Sequence, residues 1–151
     1  MGEEPICAGL SGRYPQYTTV FEANLTQLLA DLQKLEDYGH RELSGLSGRE
    51  ILTFHDGFAY LAEEFGIEIV EAIEEESGAE ASARELIHLI GEVRHHDIGA
   101  IFVEENGSGS AASIIAAETG AKCGTLHMAM SGDDYFRAMY TNIDALKEAL
   151  K

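Results

Sequence analysis

From residue 51 onward, short apolar runs alternate with stretches whose apolar positions recur at three- and four-residue steps. The runs at 51–54, 67–73, 100–103 and 122–126 have the length of buried strands. Between them the spacing predicts amphipathic helices over about 57–65, 81–95 and 111–118, with a last helix over about 133–150. Strict alternation of strand and helix is the pattern of βαβ units, so the expected fold is α/β: a four-stranded parallel sheet flanked by helices. Right-handed crossovers would place those helices on both faces. Ahead of this unit, Phe21, Leu25, Leu28, Leu29, Leu32 and Leu35 form one apolar stripe and predict a long helix over about 17–43. Ser44-Gly45-Leu46-Ser47-Gly48 ends it, and residues 10–15, with Ser11, Gly12 and Pro15, read as a break before it. The organisation that follows is an N-terminal segment at 1–16, a long helix at 17–46 and an α/β lobe at 47–151, within one domain. The long helix is out of proportion to the unit behind it and suggests that the chain is half of something larger. The acidic run Glu74-Glu75-Glu76-Ser77-Gly78 reads as a solvated connector.

Composition narrows the partners. The 151 residues carry 10 Lys plus Arg against 27 Asp plus Glu, a formal net charge of −17, which argues against nucleic acid and anionic membrane and either attracts cations or serves solubility alone. No apolar run reaches the ~18 residues of a membrane-spanning helix. The opening Met1-Gly2-Glu3-Glu4-Pro5-Ile6-Cys7 lacks the basic and apolar regions of a signal peptide. Cys7 and Cys123 form no CxxC and are expected as unpaired thiols.

The candidate chemistry lies at strand ends. His55 and His127 each follow an apolar run, so both are delivered to the carboxyl edge of the sheet, where open α/β folds bind ligands. Neutral imidazole is the commonest zinc ligand and also suits manganese and iron. On neighbouring strand tips the pair would supply half of a four-ligand site; the structural alternative is that each only caps a helix or satisfies a local hydrogen bond. Glu104 and Glu105 follow the third strand, and a carboxylate there is either a further ligand or an acceptor that orients an imidazole N–H. Asp56 is placed to cap the next helix. His88 falls in an apolar pattern and is expected partly buried, His95 and His96 sit at a helix end, His40 has no evident partner, and Met128 and Met130 are apolar fillers. The Asn106–Ser110 loop is a Gly-rich strand-to-helix connection that could hold an anion, although it lacks the spacing and lysine of a P-loop. No GxSxG, HExxH or motif-placed Cys–His pair is present, so no enzyme is expected.

Taken in order, several short motifs resemble the C-terminal lobe of the zinc and manganese solute-binding proteins of ABC transporters (the cluster A-I, TroA-like family). They are Thr53-Phe54-His55-Asp56-Gly57-Phe58-Ala59-Tyr60-Leu61, Ile101-Phe102-Val103-Glu104, Ala117-Glu118-Thr119-Gly120-Ala121-Lys122, and Asp134-Tyr135 followed by Met139, Asn142, Ala145 and Leu146. Residues 17–35 look like the lower part of the family's interlobe helix. The resemblance implies an extracellular or periplasmic receptor that holds one transition-metal ion between two lobes and passes it to a permease. It implies His55 and His127 as this lobe's metal ligands, with Glu104 nearby. His127 stands where the family often has Asp, which shifts the site towards nitrogen and favours zinc over manganese. The family's two N-terminal histidines in Asp-Pro-His contexts are absent, and Glu105-Asn106 replaces its usual Pro-Gln. The expectation is therefore an excised lobe whose start, around residues 1–5, is foreign to the parent. It would need the missing N-terminal lobe, or a second copy in a homodimer, to complete the site. The rival expectations are an anion- or nucleotide-binding module or small enzyme using the 107–110 loop, and a domain that only makes protein contacts.

Overall fold

The computed structural model describes residues 3–73, 82–107, 109–129 and 134–151. The acidic run at 74–78 lies outside the described residues. By their internal contacts the residues form two compact units, 1–38 and 39–151.

The first unit holds helix α1 (Glu3–Arg13), a single 3-10 turn at Pro15–Tyr17, and most of helix α2 (Thr18–Glu42). The long helix agrees with the spacing of its leucines. Helix α1 does not agree with a break beginning at residue 10: the helix runs through Leu10, Ser11 and Gly12, and the chain leaves it only at Tyr14, where Pro15 opens the 3-10 turn. Glycine in an exposed helix costs only about 1 kcal/mol relative to alanine, so Gly9 and Gly12 weaken α1 without ending it. Ile6, Cys7, Leu10, Phe21, Leu25 and Leu28 line a shallow apolar groove of about 410 Å³.

In the second unit four strands form one parallel sheet: β1 (Glu50–Thr53), β2 (Glu68–Ala72), β3 (Ala100–Glu104) and β4 (Lys122–Leu126), in the order β2-β1-β3-β4. Between and after them run α3 (Ala59–Phe65), α4 (Ala83–His95), α5 (Ser110–Thr119) and α6 (Tyr135–Leu150). Each helix has a local cause. Ser82 caps α4 in a reciprocal capping box with Glu85. Asp134 caps α6 by accepting from the Arg137 N–H. Gly66 and Gly120 end α3 and α5 in the left-handed conformation that glycine adopts without steric cost.

The core is built on strict alternation. Leu52, Phe54 and Ile101 pack with Leu89, Val93 and Ile98 from α4 and its exit, and with Ala111, Ala112 and Ile115 of α5. Ile51, Thr53, Ala100 and Phe102 fall on the opposite face, all essentially inaccessible. Helix α6 buries Ala138, Met139, Asn142, Ile143, Leu146, Ala149 and Leu150.

An ion pair ties the end of α2 to α6. Lys147 Nζ lies 2.6 Å from Glu42 Oε2. It holds the Glu42 carboxyl below its ordinary value of 4.5, with Arg41 assisting, and Glu42 in turn pushes Lys147 above 10.5. A lowered carboxyl pKa stabilises fully above about 4.5 and is lost as pH falls through the folded value. A raised lysine pKa stabilises fully below 10.5 and is lost as pH rises through its folded value. Glu42→Gln should therefore lower Tm by a constant amount across neutral pH, and the gap should close in acid once Glu42 itself is protonated. Thermal melts of the two proteins over a pH series check this.

Candidate metal centre

The strand order reverses direction between β1 and β3, because β1 leads outward to β2 and β3 outward to β4. The carboxyl ends of those strands flank a topological switch point, the usual ligand crevice of an open α/β sheet. His55 lies two residues past β1, Glu104 ends β3, and His127 follows β4 directly. All three expected site residues are thus on the same edge. The two histidines are not on neighbouring strands, however: β3 lies between β1 and β4. Their strand axes stand roughly 10 Å apart at the usual spacing, so the loops must lean over the tip of β3 to bring the imidazoles together.

The loops do converge. A Cβ built on Gly57 would fall 2.5 Å from Met128 Sδ and 3.0 Å from His55 Cδ2, so the thioether of the residue after His127 rests on the turn after His55. His55 is held by its backbone. Its carbonyl accepts from the Thr53 hydroxyl at 3.1 Å, Thr53 is fully buried, and the Phe54 N–H donates to Phe102 O at 2.9 Å. The imidazole stands edge-on to the buried Phe58 ring, 6.5 Å between centroids. Asp56 does not cap α3; that helix starts at Ala59, with Phe58 at the N-cap and no side-chain bond there.

His127 is held from two directions. Its N–H donates to Asn142 Oδ1 at 2.7 Å, and Asn142 Nδ2 donates back to its carbonyl at 2.8 Å. Asn142 is wholly buried in α6. On the ring side, Nδ1 lies 2.9 Å from Glu105 Oε2. Of the two carboxylates after β3, the one in contact with an imidazole is thus Glu105, while Glu104 is half-buried opposite Leu126. Sequence reasoning passed over Asn142 as a site residue, although a polar side chain among the apolar positions of α6 is the signal that marks it.

Among the described residues neither His55 nor His127 belongs to a set of three His, Cys, Asp or Glu ligand atoms within 4.8 Å of one another. The remaining histidines stand elsewhere. His88, expected partly buried, is exposed, 3.9 Å from Glu71. His40 meets Glu64 at 3.2 Å and the edge of Phe65. His96 turns Nδ1 to Glu50 at 3.2 Å and Nε2 to Glu92 at 3.7 Å. In the Gly-rich loop, Gly109 is the N-cap of α5 without a side-chain bond; Ser108 lies outside the described residues, as does Met130. Cys7 and Cys123 are free thiols, and burial pushes the Cys123 thiol up from its ordinary value. No helix among the described residues is long and apolar enough to cross a membrane.

The chain is thus an open parallel α/β unit with two histidines and a carboxylate at its carboxyl edge, two of them flanking the switch point, the place where folds of this class form their ligand crevices. The family model described as "Zinc-uptake complex component A periplasmic" (ZnuA) matches residues 4–149, and the chain belongs to that family. It is 31% identical over 153 aligned residues to the zinc-binding lipoprotein AdcA of Streptococcus pneumoniae (strain ATCC BAA-255 / R6), covering 96% of this chain and 30% of that protein. It is 29% identical to the high-affinity zinc uptake system protein ZnuA of Bacillus subtilis (strain 168), covering 96% and 48%. The crystal structure of Zn(II)-bound AdcA from Streptococcus pneumoniae superposes with a TM-score of 0.80 at 32% identity, over 97% of this chain and 34% of that one. The chain thus spans about a third to a half of these relatives. The α/β fold and the resemblance to metal solute-binding proteins stand as expected from the sequence.

Proposed function

We propose that the chain is the metal-binding lobe of a solute-binding protein for zinc uptake, acting by capture rather than catalysis. The observation that carries this reading is the convergence of the loops after β1 and β4 over the tip of β3, each presenting a histidine. His55 and His127 donate neutral imidazole nitrogen, and Glu104, at the end of β3 on the same edge, is the further oxygen donor, while Glu105 is the carboxylate in contact with His127. Two nitrogen donors favour zinc over manganese by ligand preference. Because zinc takes four ligands, the remainder come from the N-terminal lobe of the parent or from a second copy of the chain. The 17–46 helix serves as a stiff interlobe element: the 25 residues of α2 extend about 38 Å. The 47–151 lobe supplies this half of the site. The parent works outside the cytoplasm, where relatives are named as lipoproteins and periplasmic components, and hands the ion to an ABC permease. The net charge of −17 draws cations to the lobe and gives nucleic acid no purchase.

Zinc and manganese titrations into metal-stripped protein, followed by thermal melting, test the reading. A ligand at a hundred times its Kd stabilises by about 2.7 kcal/mol. A zinc-dependent rise in Tm is expected, larger than that with manganese, and lost in both His55→Ala and His127→Ala. A rise of equal size in both variants would overturn the assignment. Stabilisation by inorganic phosphate but by no metal would favour the Gly-rich loop instead.

A further inference from the structure

We infer that Glu105 is a positioning residue that fixes His127 as its Nδ1–H tautomer and so reserves Nε2 for the metal; this deepens, and rests on, the proposed role of His127. A carboxylate accepts hydrogen bonds and donates none, so the 2.9 Å contact between Glu105 Oε2 and His127 Nδ1 is made with the ring nitrogen as donor. Neutral imidazole carries one N–H, and placing it on Nδ1 leaves the Nε2 lone pair free. A metal ligand needs that lone pair, and an outer carboxylate also makes the ring a stronger donor.

The rest of the geometry makes the contact a constraint. The backbone of His127 cannot swing, because Asn142 bonds both its N–H and its carbonyl from a fully buried position. Glu105 is tied to the same strand: its own N–H donates to Leu126 O at 3.2 Å. The Gly107 N–H closes the turn on Glu104 O at 2.9 Å. The imidazole is three-quarters buried and the Glu105 side chain half-exposed, at 24% and 48%, so the ring sits inward of its carboxylate. Two backbone anchors fix where the ring starts, and the carboxylate fixes which edge it turns away.

The test reads tautomer and affinity separately. Long-range proton–nitrogen NMR on metal-free, 15N-labelled protein should show His127 protonated at Nδ1, and Glu105→Ala should convert it to the Nε2–H form that free imidazole side chains favour. Zinc should shift or broaden His127 in the parent chain, with Glu105→Ala binding about 10–100-fold more weakly. Glu105→Gln, which keeps an acceptor oxygen, should retain the tautomer and recover part of the affinity. Circular dichroism shows whether the variants are folded. An unchanged tautomer and unchanged affinity in Glu105→Ala, with zinc still shifting His127, would overturn the role of Glu105 alone. Zinc that leaves His127 unperturbed in every protein would overturn the assignment of His127 as a ligand, and this inference with it.

Discussion

Replacing Asn142 with leucine should destabilise the protein by about 2–5 kcal/mol and abolish its response to zinc. The side chain is wholly buried on α6 and bonds both backbone groups of His127, at 2.7 and 2.8 Å. Leucine has a similar volume and suits its apolar neighbours Ala138, Met139, Ile143 and Leu146, so little is lost through packing. What is lost is the pairing of a donor and an acceptor just beyond the last residue of β4. In this half-buried turn each backbone group that loses its Asn142 partner costs about 1–3 kcal/mol. At this chain length that corresponds to a fall in Tm of roughly 5–15 °C. Urea unfolding gives the free energy, and the same melts with zinc give the coupling. Because the anchor holds the residue proposed to bind metal, stability and zinc response should fall together. If Asn142→Leu melts like the parent chain, the two hydrogen bonds do not constrain the loop. If it is destabilised but keeps its full zinc shift, His127 is not the donor.

Asn142 also shows where the sequence was legible. The central strands β1 and β3 could be read because both faces of a parallel sheet's centre are buried, so they appear as apolar runs bounded by turns. The edge strands β2 and β4 are only partly buried and carry Glu68, Glu71 and Lys122, and the alternation of strand and helix is what marks them. The helices could be read from their stripes. Even the error at His88 follows from one: Leu86, Leu89, Ile90 and Val93 form the inward face of α4, and His88, two positions from Leu86 and from Ile90, must point away. Helix α1 could not be read in this way because Ile6, Cys7 and Leu10 are too few to form a repeating stripe, and Gly9, Ser11 and Gly12 interrupt them. Strand order was not legible either. Local pattern gives the direction of each strand but not whether a crossover returns beside its predecessor or beyond it, and so β1 and β4 were expected to be neighbours. The choice between Glu104 and Glu105 depends on where β3 stops pairing and the turn begins, a matter of one residue, which periodicity does not resolve. The histidines at the strand tips were legible because a strand end is fixed by the apolar run before it.

The pairing of β3 with β4 controls how those tips meet, and it depends on one large and one absent side chain. Phe102 lies opposite Gly124 in the parallel register and is fully buried. A Cβ on residue 124 would fall 2.5 Å from Phe102 Cε1 and 2.7 Å from Cδ1, so the ring occupies the space that any other residue would need. Phe102→Ala should cost about 3–5 kcal/mol, the usual loss for a buried aromatic truncation. Gly124→Ala should cost about 1–3 kcal/mol, because the ring cannot move without disturbing strands on both sides. The two changes should not add. With the ring gone, the alanine methyl enters the vacated space, and the double variant should be at least about 1 kcal/mol more stable than the sum predicts. Urea unfolding of the four proteins closes the cycle, and additivity within about 0.5 kcal/mol would show that ring and glycine do not share the space. The consequence reaches the metal centre because Glu104 and Glu105 lie two and three residues beyond Phe102, as Leu126 and His127 do beyond Gly124. A displaced ring in Gly124→Ala shifts one tip against the other and moves His127 relative to Glu105. The zinc response of that variant should therefore weaken although every proposed donor is still present, and the double variant should recover part of it.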